Sequence, residues 1–202
     1  MKRRKVGNLL ALSVLAYLSR EPMHPYELSK TLRNYGDARS IKFTHGSLYM
    51  VVQQLAKAGF VAEQEVSREG ARPERTVYAI TDAGRAELRD WLRELVGEPQ
   101  HEYPAFVSAL SLVSALPPTE VVRLLRERLT GLDAQRAEAV AMIEKSEAEG
   151  LHPLFLIEES YRVRLLDAER AFVEEFIAKI SDPAEGWGPM WAAVHGTVFE
   201  SE

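Results

Sequence analysis

The amino-acid sequence predicts a mainly α fold with one small β-hairpin, arranged as two helical domains. Three observations carry this. Apolar residues recur at helical spacing through most of the 202 residues. Only the stretch 60–80 holds two short β-compatible runs, separated by a polar tip broken by Gly70 and Pro73. Finally, Gly97-Glu-Pro-Gln-His-Glu-Tyr-Pro104 reads as a hinge between the domains.

Taken in order, residues 8–19 are apolar on most sides and form a first helix central to a small core. Arg20-Glu-Pro22 ends it. A second helix begins near His24-Pro25, with proline at a permitted first-turn position, and turns Leu28 and Leu32 inward. Its pattern stops at Gly36. A third helix runs from about His45 to Ala58. Leu48, Val51, Val52 and Leu55 give it one apolar face, and Gly46, Met50, Gln53, Gln54 and Lys57 lie opposite. Gly59 follows its last turn, where a helix stop favours positive φ.

Phe60–Val66 and Thr76–Ile80 then read as two strands, with Arg68, Arg72 and Arg75 in the tip between them. Thr81 is the natural N-cap of the next helix. Helix, strand, charged tip, strand and new helix, in that order, form the second half of a winged helix-turn-helix, which places one helix in the DNA major groove and a hairpin beside it. An ordinary amphipathic surface helix would show the same apolar face, and a solvated loop could hold the same arginines beside Glu69 and Glu74. Their succession favours the DNA reading.

Beyond the hinge, Ala105–Leu116 reads as an apolar helix stopped by Pro117-Pro118. Thr119 then caps a long helix in which Val122, Leu125, Leu129, Leu132, Arg136, Ala139 and Ile143 make a heptad seam interrupted at Arg136. Gly150 to Pro153 breaks the chain. The last long helix carries Ile157, Tyr161, Leu165, Ala168, Phe172, Phe176 and Ile180 on one side. The expected division is therefore 1–96 as a DNA-binding domain, 97–104 as the hinge and 105–180 as a helical dimerisation domain. The tail 181–202 is unassigned.

Charge supports the division. Residues 1–90 hold 15 Lys and Arg against 10 Asp and Glu, a net of +5, whereas residues 91–202 hold 10 against 20, a net of −10. The basic half contains the proposed reader, and the acidic half should stay off DNA. The chain has no cysteine, which excludes disulfides and thiolate metal sites and suits a cytoplasmic location. Its five histidines form no close pair at metal-ligand spacing. No phosphate loop, nucleophile elbow or zinc-protease motif appears, so neither a cofactor, a metal nor a catalytic residue is expected. Lys2-Arg-Arg-Lys5 before an apolar run mimics a secretion signal, but no cleavage site follows promptly, and the run is too short for a membrane span.

With these elements placed, the first eighty residues or so resemble the PadR family of bacterial transcriptional regulators. The resemblance rests on Leu9–Leu18, Met23-His-Pro-Tyr-Glu-Leu28, Gly46-Ser-Leu-Tyr49, Leu55-x-x-x-Gly59-Phe-Val61 and Arg72-Pro-x-Arg-x-Val-Tyr78-x-Ile-Thr81-x-x-Gly84. It implies a dimeric repressor that binds an inverted repeat on double-stranded DNA and releases it when a small molecule binds. By position it makes Tyr26, Ser47 and Tyr49 DNA contacts. Pro25 departs from the family's common glycine, and His45 and Met50 depart from its common prolines. His45 then becomes a candidate base or phosphate contact, and Met50 a candidate for a thymine methyl group. Glu74 stands where the wing often carries another cation.

The DNA-facing set expected is Tyr26, Thr44, His45, Ser47, Tyr49, Met50 and Gln53, with Lys2, Arg3, Arg4, Lys5, Arg72 and Arg75 neutralising phosphates. A homodimer is expected through the C-terminal helices. A pocket for a small aromatic or lipophilic effector is expected near the domain junction, lined by some of Trp91, Tyr103, Phe106 and Tyr161, although the same rings would suit a core or a dimer contact. Two other classes remain open. One is a winged-helix scaffold for protein interaction without DNA binding, and the other is a ligand-binding or catalytic helical protein built on the aromatic C-terminal half.

Overall fold

The computed structural model describes residues 3–34, 41–64 and 76–199. The chain forms two compact units, Met1–Glu102 and Tyr103–Glu202. In the first, α1 (Leu9–Leu18), α2 (Pro25–Asn34) and α3 (His45–Lys57) precede β1 (Val61–Gln64), β2 (Val77–Ile80) and α4 (Asp82–Gly97). The second holds α5 (Ala105–Ser111), α6 (Pro118–Ala148), α7 (Ile157–Ser181) and α8 (Gly188–Phe199), with single 3₁₀ turns at Val113–Ala115 and Pro153–Leu156.

The first unit is built around α1. Leu10, Ala11, Val14, Leu15 and Leu18 are buried along one broad face, and Leu12, Ala16 and Tyr17 pack partly against the same core. Leu28 and Leu32 of α2, the apolar face of α3, and Leu88 and Trp91 of α4 close the same core. Burying each leucine contributes about 1.5–3 kcal/mol relative to exposure. Asn8 starts α1 by accepting from the Leu10 amide at 2.8 Å. Gly59 takes φ +79° after α3, the conformation its position requires. The strands pair antiparallel, Val61 with Ile80 through Gln64 with Val77. Met23 adds a third edge, exchanging two main-chain hydrogen bonds of 3.0 Å with Tyr78.

Thr81 ties the hairpin to α4. Its hydroxyl donates to the Gly59 carbonyl at 2.7 Å and accepts from the Gly84 amide at 3.1 Å. The Tyr78 hydroxyl donates to Glu63 Oε1 at 3.1 Å across the sheet. Burial, reinforced by this hydrogen bond, raises the Tyr78 pKa.

In the second unit α6 and α7 pack along one another and are joined by the ion pairs Arg128–Glu169, Asp133–Arg170 and Arg136–Asp167. Leu125, Leu132 and Ala139 of the heptad seam are buried. Arg136 interrupts the seam because it reaches outward to Asp167 at 2.5 Å. Two expectations need correction. Thr119 does not cap α6. The helix begins one residue earlier at Pro118, with Pro117 at the cap and no side-chain cap bond, because proline at the first position is already set for helical φ. The helix expected over 105–116 ends as α5 at Ser111, and a 3₁₀ turn follows.

The tail folds back as α8. Asp182 accepts from the Ala184 and Glu185 amides at 2.8 and 3.2 Å, which lowers its pKa. Trp191 packs with Val121, Leu125, Val173 and Ile180 and donates from Nε1 to the Leu116 carbonyl at 3.1 Å. No helix among the described residues is long and apolar enough to cross a membrane.

Candidate nucleic-acid interface

The interface begins with how α3 is held. Leu48, Val51, Val52 and Leu55 are buried, which fixes the helix rotation and leaves Gly46, Met50, Gln53, Gln54 and Lys57 exposed. Thr44 and Ser47 form a capping box. The Ser47 amide donates to Thr44 Oγ1 at 3.1 Å, and the Thr44 amide donates to Ser47 Oγ at 2.8 Å. The Ser47 hydroxyl also donates to the Thr44 carbonyl at 2.9 Å. Both side chains therefore stabilise the start of the helix while remaining at the surface.

Around this start lies an aromatic patch drawn from two helices. The His45 and Tyr49 rings are 4.8 Å apart. Tyr26 stands 6.3 Å from His45, and His24 stands 6.3 Å from Tyr49. His24 Nδ1 accepts from the Tyr26 amide at 3.0 Å, satisfying a donor at the start of α2. His24 was absent from the sequence-derived set. Its signal is local: a histidine before the first proline of a helix stands where a side-chain acceptor is useful. Tyr26, His45 and Tyr49 thus come together with Met50 and Gln53 on one exposed surface.

The expected phosphate contacts separate. Lys2, Arg72 and Arg75 lie outside the described residues, as do Arg68 and the rest of the tip. Arg3 and Lys5 are exposed. Arg4 requires correction, because its side chain is only 1% exposed and its guanidinium pairs with Glu87, Asp90 and Glu94 of α4. Those carboxylates, together with the Trp91 ring 5.2 Å away, occupy the charge that was expected to meet DNA.

The four expected effector residues have different surroundings. Trp91 is 0% exposed in the core of the first unit and offers no ring face to a ligand, which corrects that assignment. In the second unit Phe106 lies under Arg128, 3.6 Å from its guanidinium carbon. Tyr103 and Tyr161 are exposed. An apolar recess of about 290 Å³ in the same unit is lined by Val113, Phe176, Trp187, Met190, Trp191 and Val194.

A three-helix core that turns the polar face of its third helix outward beside a β-hairpin is a winged helix-turn-helix unit. Residues 14–90 match the model of the Transcriptional regulator PadR-like family. It is 24% identical over 138 residues to the negative transcriptional regulator PadR of Bacillus subtilis strain 168, covering 68% of this chain and 74% of that one. The crystal structure of Bacillus subtilis PadR in complex with operator DNA superposes with TM-score 0.69 at 20% identity, covering 86% of this chain and all of that one. The same protein in complex with p-coumaric acid gives TM-score 0.69 at 18% identity, covering 90% of this chain and 99% of that one.

Proposed function

We propose that this chain is a DNA-binding transcriptional repressor that acts as a cytoplasmic homodimer on an inverted-repeat operator and releases it when a small aromatic or lipophilic molecule binds. The observation that carries the reading is the exposed stripe of α3, where Met50 and Gln53 continue a patch formed by Tyr26, His45 and Tyr49. Gln53 can pair with adenine through two hydrogen bonds, and Met50 can contact a thymine methyl group. Tyrosine and histidine at the edge of the groove suit phosphates and sugars. The operator DNA and the p-coumaric acid bound by Bacillus subtilis PadR support both halves of the reading. No step in it requires catalysis. For the effector, the apolar recess beside Trp187 and Trp191 is a better-formed receptor than the buried Trp91.

The test is to select duplexes from the source genome with the full chain, then measure binding to the selected duplex and to random DNA. Gln53→Ala should cost on the order of 1–3 kcal/mol at the selected site and little on random DNA. A wild-type chain with no preference for any genomic fragment would overturn the reading.

A further inference from the structure

The N-terminal arm is held far more tightly than a solvated basic run would be. Arg4 donates from Nη1 to Glu87 Oε1 at 2.8 Å and to Asp90 Oδ2 at 3.1 Å, and from Nη2 to Glu94 Oε2. These carboxylates and Trp91 occupy positions 87, 90, 91 and 94, a single face of α4. Val6 is buried in the core, and Asn8 caps α1. Lys5 stands between two anchored residues, with its ammonium 5.8 Å from the Phe60 ring.

Across from this arm is the last turn of α3. Lys5, Gly7 and Asn8 on one side, and Gln54 and Lys57 on the other, line a cleft of about 480 Å³. Neither lysine has a carboxylate partner among the described residues. Two ammonium groups with no carboxylate partner among the described residues, and two amides, make one cleft a receptor for an anion. The cleft also continues the outward stripe of α3. His45 to Lys57 spans about 18 Å of helix axis at 1.5 Å per residue. The major groove is only about 12 Å wide. With the axis of α3 laid across the groove and its first turns on base edges, its last turn stands over the strand that bounds the groove.

We infer that the cleft between the arm and α3 clamps the phosphodiester strand flanking the half-site, with Lys5 and Lys57 as the contacts. Arg4 is a positioning residue: it touches no DNA and fixes Lys5 by fastening the arm to α4. The inference rests on the DNA-binding reading and adds to it a second contact surface and a role for a buried cation.

The experiment uses the full chain, the duplex it selects and a random duplex, over a salt series. Lys5→Gln and Lys57→Gln should weaken both duplexes alike, each lowering the slope of log affinity against log salt by about 0.9. Arg4→Gln should lose the same slope as Lys5→Gln. The double variant Arg4→Gln/Lys5→Gln should bind no more weakly than Lys5→Gln alone, because both remove one contact. A purely structural Arg4 would lower the melting temperature without changing the slope. Full additivity of Arg4→Gln and Lys5→Gln would make Arg4 an independent contact. Either result overturns its positioning role. Lys5 and Lys57 are exposed and their variants should fold, so wild-type affinity and slope in both would overturn the clamp itself. A wild type that binds no duplex would remove the regulator reading, and the clamp with it.

Discussion

A Cβ added at position 84 would lie 2.0 Å from the Phe60 carbonyl oxygen and 2.8 Å from the Ile80 side chain. The same carbonyl accepts from the Thr81 amide at 3.0 Å, so it cannot retreat without loosening the strand-to-helix joint. Gly84→Ala should therefore destabilise the first unit by about 1–3 kcal/mol, measured by urea unfolding. Tyr78 should make stability depend on pH in the alkaline range. Its pKa is raised in the fold by burial and by the Glu63 hydrogen bond, so the neutral phenol is the favoured form. That contribution is complete below the ordinary tyrosine value of about 10 and fades as pH rises through the higher folded value. Wild-type unfolding monitored above that pH should show a steeper loss than Tyr78→Phe, which has no phenol to ionise. Gly84 stands out in the sequence only as one member of a motif, since the clash that selects it comes from a residue on another element.

The third helix was readable because its determinants are local. Spacing alone places Leu48, Val51, Val52 and Leu55 inward, and positive φ at Gly59 follows from the end of the same helix. The Thr44–Ser47 cap is local too, and Thr44→Ala should cost about 1 kcal/mol in urea unfolding by removing an acceptor from the first turn. Arg4 shows the opposite case. Its partners are 83 to 90 residues away, and a run of basic residues does not reveal which carboxylates will fold against it. The tail was opaque for the same reason: Trp191 anchors to a carbonyl 75 residues earlier. Periodicity reports which face of a helix is buried, whereas assignment of a charged or aromatic residue to core or ligand needs the partner that only tertiary structure supplies.

For the whole molecule, α7 leaves an apolar strip uncovered. Ile157, Tyr161, Leu165 and Phe172 are 64%, 63%, 52% and 46% exposed, at the spacing of one helix face. A second copy related by a twofold axis would cover that strip and bring two readers onto an inverted repeat. Leu165→Glu places a charge on it, and sedimentation at micromolar concentration should show a shift from dimer toward monomer, with operator affinity falling in parallel. The charge asymmetry changes sign in the sequence close to where the chain divides into its two compact units. How far α7 remains exposed depended on which of its faces α6 takes. Within the first unit, Met23 and Tyr78 join the start of α2 to the hairpin by two main-chain hydrogen bonds. Amide and carbonyl groups are common to nearly every residue, so mutation of either side chain leaves this link available. The outward residues of α3 can then be exchanged as an alphabet while the backbone preserves the frame that holds them. Under the proposed function, new operator preferences are best sought at Met50 and Gln53, with the Met23–Tyr78 joint left untouched.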